Sequence, residues 1–301
     1  MTRRLPRRSL LALALGAALA LTACGGGSDS TSASKAASKT PETLHFAVAP
    51  FLPSPTDTKA AYEPFFKAIA DKVGAKYDLQ VSGDFAGIGV SLASGKTDLA
   101  WLGPFGYVLA AAKGGAQAIA TVEYDGKPVY HSIVVAPPDT KVKDYPKDAK
   151  GLRMSFAETA STSGWLIPTY LLKQEGIDPK TYFDYSEGAA HPAQETAVAN
   201  RKVDLATDYD RNRTAMIEAG AIKAGQSKIV YTSPDLPNDA IAVRKGLDPA
   251  TVQKLKEAVL ATTSPGTADG VLPKHYTGFV ATTPDTYKLI IDAAKDLGKI
   301  G

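Results

Sequence analysis

The segment Leu152–Gln174 reads LRMSFAETASTSGWLIPTYLLKQ. Its first residues form a short apolar run typical of a buried strand, and Trp165–Gln174 has the apolar spacing of a helix. Three hydroxyl residues, Ser161, Thr162 and Ser163, stand between the two, just before the helix. Free backbone N–H groups at a helix start, together with hydroxyl donors, favour a bound oxyanion, although the same residues would also serve as an ordinary helix cap. The segment therefore predicts a strand–loop–helix unit that carries a candidate anion site.

The same alternation of strand and helix patterns continues on both sides of this segment. Between the apolar runs lie helical patterns, such as the apolar face of Tyr62, Phe65, Ile69 and Val73. Strands that alternate with helices predict an α/β fold with a largely parallel sheet. The strand candidates are Leu44–Ala49, Tyr77–Ser82, Asp98–Leu102, Ala118–Val122, Ser132–Ala136, Leu152–Phe156, Val203–Thr207, Lys228–Thr232 and Ala240–Val243.

Two proline-rich breaks suggest where the chain passes between domains. The first runs over residues 137–146 and the second over residues 233–239. If the chain crosses at both, residues 44–136 and 240–301 form lobe 1, residues 139–232 form an inserted lobe 2, and residues 233–239 are the return hinge. This organisation predicts a ligand cleft between two lobes joined by two hinge crossings.

The N-terminus has the pattern of an export signal. Four arginines precede the apolar run Leu10–Leu21, so we interpret residues 1–23 as a signal peptide. The ending Leu21-Thr22-Ala23-Cys24 resembles the lipobox of bacterial lipoproteins. That resemblance implies a lipid on Cys24, a flexible tether over residues 24–43, and an exported protein anchored to the outer face of the cytoplasmic membrane. An uncleaved anchor or an ordinary signal remains the alternative, and Sec and twin-arginine export both stay open.

Composition and motif content exclude several classes of protein. The chain has 301 residues with 34 basic and 31 acidic side chains, and without residues 1–23 the basic count falls to 30. The charges then nearly balance, so the composition does not indicate a nucleic-acid-binding protein. Its single Cys forms no intrachain disulfide. The sequence lacks the nucleophile-elbow, zinc-protease and P-loop motifs, and His45, His131 and His275 lack metal-ligand spacing. We therefore expect a monomer that is not an enzyme and has no catalytic residues, metal or cofactor.

His191 is the second candidate site residue. It precedes Pro192 at the start of the predicted helix Pro192–Asn200, so it should lie at a helix N-terminus. Such a histidine is either a packed or capping residue or, with the Ser161–Ser163 loop facing it, a donor to an oxyanion.

Five segments in order resemble the periplasmic substrate-binding components of phosphonate/phosphite-type ABC importers, over about residues 44–285. Each segment alone is weak evidence for the family, but five segments in the same order along the chain make the resemblance specific. The segments are GDFAGI at 83–88, KTDLAWLG at 96–103, STSGWLIP at 161–168, His191 followed by AVANRKVDLAT at 197–207, and SP at 233–234 leading to PND at 237–239 and VRK at 243–245.

The resemblance implies a two-lobed, type II binding protein that closes on a small phosphorus oxyanion and delivers it to an ABC permease and its ATPase. Carried over residue by residue, the ligand-binding positions fall on Ser161, Thr162, Ser163, His191, Tyr130, Asp239 and Phe85. A binding protein of this fold for another small anion, and a sensory anion-binding component, remain alternatives.

Two departures from the family bear on specificity. A tyrosine of aminophosphonate binders is Phe85 here, and the family's second ammonium-facing acid falls on Arg211. Asp208 and Asp210 lie close enough in sequence that a small shift of the alignment restores an acid. If Arg211 holds that place, an aminoalkyl tail would meet a like charge, which argues against 2-aminoethylphosphonate.

Overall fold

The computed structural model describes residues 40–52, 54–262, 271–283 and 285–301. The predicted signal peptide, Cys24 and most of the tether lie outside these residues. Within them, no helix combines the length and apolarity needed to cross a membrane.

The described chain forms two β-sheets flanked by helices. The first sheet has six strands in the order β13-β4-β12-β3-β1-β2. Its strands are β1 (Thr43–Val48), β2 (Lys76–Val81), β3 (Leu99–Leu102), β4 (Gln117–Tyr124), β12 (Ala240–Val243) and β13 (Tyr276–Ala281). The second sheet has five strands in the order β10-β6-β9-β7-β8. Its strands are β6 (Ser132–Ala136), β7 (Arg153–Ala157), β8 (Asp184–Ala189), β9 (Leu205–Tyr209) and β10 (Lys228–Thr232).

Nine helices in the described residues cover the two sheets, together with a π-helical turn and short 3₁₀ turns. The α-helices are α1 (Pro55–Val73), α2 (Phe85–Ala93), α3 (Pro104–Gly114), α4 (Ile167–Gln174), α5 (Pro179–Tyr182), α6 (His191–Ala199), α7 (Asp210–Glu218), α8 (Pro249–Leu260) and α9 (Lys288–Asp296). The π-helical turn, Thr162–Leu166, leads directly into α4.

A two-stranded ribbon joins the sheets. In it β5 (Val129–Tyr130) pairs antiparallel with β11 (Leu236–Pro237), so the chain passes between the sheets at two adjacent points. Strand β6 follows β5 immediately and pairs with β9 and β10. Its residues therefore belong to the second sheet, which differs from the sequence-based boundary of lobe 1 at residue 136. The first crossing is at β5, which follows Pro128, and the Pro137-Pro138 break lies at the far end of β6.

Both sheets are mixed, which corrects the expectation of a largely parallel sheet. In the first sheet β1 pairs in parallel with β2 and β3, whereas β12 runs antiparallel to β3 and β4. The crossings explain the reversal. Strand β4 leads out to the ribbon and β12 returns from it, so the two strands must run in opposite directions; β6 and β10 are antiparallel for the same reason.

Two apolar cores stabilise the arrangement. One lies under α1 and α8 on one face of the first sheet, where Phe65 and Trp101 pack edge to face with their ring centroids 5.2 Å apart. The other continues from the opposite face of that sheet into the second, and includes both Phe105 and Trp165. The second core is shared, so the lobes are in direct contact, with α3 and α9 packed against the π-helical turn and α9 also against α4.

His131 connects the two crossings through its imidazole. Its Nδ1 lies 2.9 Å from Asp210 Oδ2, and its Nε2 lies 2.9 Å from Asp235 Oδ1. Burial lowers the pKa of this imidazole, but the hydrogen bonds to the two carboxylates outweigh burial and raise the pKa above its ordinary value. A raised pKa in the folded state contributes stability that is present below about pH 6.5 and is lost as the pH rises through the folded-state pKa.

We expect His131→Gln to lower the melting temperature at about pH 6 and to lower it much less at about pH 9, because only the protonated imidazole gains from both carboxylates. Thermal melts at several pH values measure this. His45→Gln is the matched control, because the His45 side chain is 56% exposed and lies 4.0 Å from Asp78. A His131→Gln deficit that stays constant with pH would contradict the assignment.

Candidate functional site

The Ser161–Ser163 loop follows β7 and opens the π-helical turn. Ser161 is the N-cap of this turn, and its Oγ accepts a hydrogen bond of 3.1 Å from the Gly164 N–H. Gly164 leaves no room for a side chain, since an added Cβ would lie 2.3 Å from Ala157 Cβ and 2.7 Å from His191 Cε1. The loop is therefore pressed against β7 and the imidazole of His191.

Hydroxyl groups beneath the loop hold its backbone in place. Ser132 Oγ donates to the Ser163 carbonyl at 2.6 Å, and Thr207 Oγ1 donates to the Gly164 carbonyl at 2.6 Å. These bonds satisfy the carbonyls from the sheet side. The loop thus presents its hydroxyl groups to the cleft from a fixed backbone.

A chain of three polar side chains runs from the loop into the second sheet. Ser161 Oγ lies 2.8 Å from His191 Nε2, and His191 Nδ1 lies 2.8 Å from Asp208 Oδ1. Asp208 is fully buried and also accepts a 2.8 Å hydrogen bond from Asn212 Nδ2. Asp208 therefore holds a proton on Nδ1 and sets the orientation of the ring. We call Ser161, His191 and Asp208 the relay.

The two lobes meet over this loop. The Phe105 N–H, at the start of α3 beside the first sheet, donates to Thr162 Oγ1 at 2.9 Å. Tyr130, in the ribbon, lies close enough for hydrogen bonds from Thr162 and Ser163 to act on its phenol. Burial raises the pKa of Tyr130, so its hydroxyl stays protonated and able to donate.

One cavity at this junction brings together all seven residues that the sequence analysis assigns to the ligand. They are Phe85, Tyr130, Ser161, Thr162, Ser163, His191 and Asp239, and Arg211 lines the same cavity. Asp208 is not among the lining residues, because it stands behind His191. Phe51, Tyr209 and Tyr276 also line it and were not predicted. Each of these three is an aromatic residue outside any motif, where sequence alone favours a packing role.

Arg211 enters the cavity at the start of α7 and lies among tyrosine rings. Its guanidinium carbon is 4.8 Å from the centroid of the Tyr130 ring and 5.1 Å from that of Tyr124, with Tyr209 and Tyr276 at 5.7 and 5.9 Å. Such distances allow cation–π attraction. We call these four rings the tyrosine cage.

Asp239 faces the cage from the return hinge. Arg211 Nη2 is 3.8 Å from Asp239 Oδ1, and Trp101 Nε1 donates to Asp239 Oδ2 at 3.3 Å. Burial raises the pKa of the Asp239 carboxyl, while the charge of Arg211 and the Trp101 hydrogen bond oppose the rise. The sequence alternative that Asp210 supplies an acid here is not favoured, because its carboxylate is bound to His131.

The site has no arrangement typical of a metal centre. Among residues 40–52, 54–262, 271–283 and 285–301, no three His, Cys, Asp or Glu side chains form a group that would hold a metal ion. The chemistry of the cavity is instead that of hydroxyl, imidazole, phenol and guanidinium donors gathered around a small space.

The comparisons with known proteins agree on one family. Residues 46–287 match the model of the family described as ABC transporter, phosphonate, periplasmic substrate-binding protein. The chain is 32% identical over 251 residues to the phosphate-import protein PhnD of Mycolicibacterium smegmatis, with 79% of this chain and 77% of the relative covered. It is 30% identical over 206 residues to the phosphonates-binding periplasmic protein of Escherichia coli, covering 67% of this chain and 61% of the relative.

A solved structure agrees in fold. A binding protein component of an ABC phosphonate transporter from Pseudomonas aeruginosa superimposes with a TM-score of 0.74 at 26% identity, over 83% of this chain and 85% of that one. The architecture of two α/β lobes joined by a two-stranded ribbon is the type II binding-protein fold. This chain therefore belongs to the family of periplasmic substrate-binding proteins of phosphonate ABC transporters.

Proposed function

We propose that this protein captures a small phosphorus oxyanion, a phosphonate, phosphite or phosphate, and delivers it to an ABC permease driven by an ATPase. The observation that carries the proposal is the convergence of Ser161, Thr162, Ser163 and His191 on one cavity between the lobes. A buried oxyanion needs many donors of good geometry, since uncompensated charge in a closed site costs several kcal/mol. The loop hydroxyls, the N–H groups of the π-helical turn and Tyr130 are such donors, and the imidazole of His191 supports Ser161.

Capture proceeds by hinge closure in this proposal. The lobes are residues 44–130 with 240–301 and residues 132–232, which moves β6 into lobe 2. The paired strands β5 and β11 form a short hinge beside the cavity. The hydrogen bond from Phe105 to Thr162 and the ion pair of Arg211 with Asp239 join groups on opposite sides of the cleft. A ligand seated on the Ser161–Ser163 loop would thus favour the state in which both contacts are made.

The cellular setting follows from the family and from the N-terminal pattern. We propose that the protein is exported, carries a lipid on Cys24, and works as a monomer tethered to the outer face of the cytoplasmic membrane. The tether allows the folded body to reach the permease. A sensory role, in which the closed form is presented to a receptor instead, uses the same binding step.

We further propose that no bond of the ligand is broken. The relay has the order of atoms found in serine hydrolases. Ser161 Oγ, however, is engaged by the Gly164 N–H at the helix start, an arrangement that holds a donor for an anion rather than exposing a nucleophile. The family is one of transport proteins, which supports binding without turnover.

Calorimetric titration tests this function directly. Protein beginning near Lys39, freed of bound ligand, is titrated with phosphate, phosphite, methylphosphonate and 2-aminoethylphosphonate. We expect a Kd of about 1 μM or tighter, or about −8 kcal/mol, for at least one of the first three, with 2-aminoethylphosphonate much weaker. Phosphorus NMR of the recovered ligand should show it unchanged. Folded protein that binds none of the four would refute the proposal, and turnover would make the protein an enzyme.

A further inference from the structure

Arg211 has a feature that packing within the protein does not account for. Its side chain is 10% exposed, and its Nε and Nη1 find no hydrogen-bond acceptor in the described part of the chain. The separation of 3.8 Å from Asp239 is too long for a hydrogen bond. Buried donors in folded proteins nearly always have a partner. Two unpaired N–H groups on a buried cation therefore point to an acceptor that is bound rather than built in.

The tyrosine cage keeps these donors in place. Four rings surround the guanidinium at 4.8 to 5.9 Å, and they belong to both lobes and the ribbon. A cation held this way cannot swing out to solvent while the lobes are closed. The Arg211 side chain lines the same cavity as the Ser161–Ser163 loop.

The size of the cavity decides what the acceptor belongs to. Its volume is about 40 Å³. On the same scale one water needs about 10–15 Å³, so the space suits a compact ion rather than a ligand with a long tail. An acceptor next to Arg211 must then be attached to the same central atom that the loop and His191 bind.

Asp239 adds the complementary group. Its Oδ1 lies 3.8 Å from Arg211 Nη2, and the residue lines the cavity. A guanidinium beside a carboxylate offers a donor and an acceptor together. A P–OH group matches this pair, because its oxygen accepts from Arg211 and its proton is donated to Asp239.

We propose that Arg211 and Asp239 together recognise a fourth oxygen on phosphorus, so that the site prefers inorganic phosphate to ligands carrying carbon or hydrogen in that place. This inference rests on the proposed function and assigns its ligand. Methylphosphonate and phosphite each present three oxygens and would leave both groups unpaired. Sites built to hydrogen-bond a hydroxyl reject analogues that lack it. An aminoalkyl tail would meet the fixed positive charge of Arg211.

The test is the ratio of affinities, measured by calorimetry at one pH and one salt concentration. We expect wild-type protein to bind phosphate at least about tenfold more tightly than methylphosphonate or phosphite. The double variant Arg211→Gln/Asp239→Asn removes both charges together. Its affinities for phosphate, methylphosphonate and phosphite should differ by no more than about threefold. Arg213→Gln is the matched control, because this arginine lies on the same helix and pairs with Glu195, and it should keep the wild-type ratio.

The outcomes separate this inference from the function on which it rests. Wild-type protein that binds methylphosphonate or phosphite as tightly as phosphate would overturn the assignment of Arg211 and leave oxyanion capture standing. Tighter binding of phosphonoacetate than of phosphate would also overturn it, because the acceptor would then be a carboxylate on a tail. Binding of none of these ions would refute the proposed function itself. The wild-type ratio needs no variant, so the test does not depend on the double variant folding.

Discussion

Gly164→Ala is expected to weaken oxyanion binding by at least about a hundredfold and to lower the free energy of unfolding by about 1–3 kcal/mol. The added Cβ would lie 2.3 Å from Ala157 Cβ and 2.7 Å from His191 Cε1, closer than carbon atoms approach in proteins. Interiors are close-packed, so either the loop or the imidazole must move. Both are ligand groups in our proposal, and a shift of about 1 Å in either breaks the convergence of donors.

Gly225→Ala is the control for this substitution. Gly225 lies in the same lobe, and a Cβ there would meet nothing within 4 Å. Its affinity and melting temperature should stay close to the wild-type values. Calorimetry gives the affinity and thermal unfolding gives the stability of both variants. If Gly164→Ala protein bound the ion within about threefold of wild type, the Ser161–Ser163 loop would not be the oxyanion site.

The local parts of this site were predictable because they are built from neighbouring residues. The strand–loop–helix unit places Ser161, Thr162 and Ser163 at a helix start, and Pro192 places His191 at the start of α6. The apolar spacing predicts one helix over Trp165–Gln174, and the structure has the π-helical turn Thr162–Leu166 leading into α4, with Pro168 in the first turn of α4.

The missing parts depend on contacts between distant segments. Strand β13 has polar Thr277 and flexible Gly278 in its first half and lies at an edge of its sheet, so it lacks an apolar run. Strand β8, DYSEGA, is a polar edge strand for the same reason. Tyr276 comes to the cavity only because β13 pairs with β4, and no pattern near Tyr276 shows that pairing. The sequence did not predict the relay either. The contact of His191 with Asp208 joins helix α6 to strand β9, and it depends on how these two elements pack.

The relay limits how Ser161 can bind an anion. A serine hydroxyl has one proton. While His191 carries a proton only on Nδ1, facing Asp208, its Nε2 is an acceptor and takes the Ser161 proton at 2.8 Å. Ser161 therefore donates to a ligand only when its hydrogen bond with His191 runs the other way, from Nε2 to Ser161 Oγ. Asp208, bonded to Nδ1 at 2.8 Å, holds the ring in the position where either direction is possible.

Two glutamates lie close to the relay. Glu158 precedes the loop; burial raises the pKa of its carboxyl, and the neighbouring His191 lowers it. Glu195 lies on α6, and burial, together with the charge of Asp208, raises its pKa to about 7. Glu195 is bound by Ser227 Oγ at 3.0 Å and paired with Arg213. Asp208 is thus the carboxylate in hydrogen-bond contact with the imidazole.

Asp208→Asn should therefore weaken oxyanion binding by about 1.5–3 kcal/mol, or about 10- to 150-fold, because the carboxylate that holds the His191 ring against Ser161 is lost. His191→Ala should weaken it by at least about 1.5 kcal/mol, because Ser161 loses the hydrogen-bond partner that orients its hydroxyl. Calorimetric titration with phosphate, phosphite and methylphosphonate measures the affinity of each variant.

Asp210→Asn is the control for these two variants. Asp210 lies two residues from Asp208 but is bonded to His131, so this variant should retain the wild-type affinity. An unchanged affinity in Asp208→Asn protein would mean that Ser161 binds the anion without the relay, and an unchanged affinity in His191→Ala protein would remove His191 from the site.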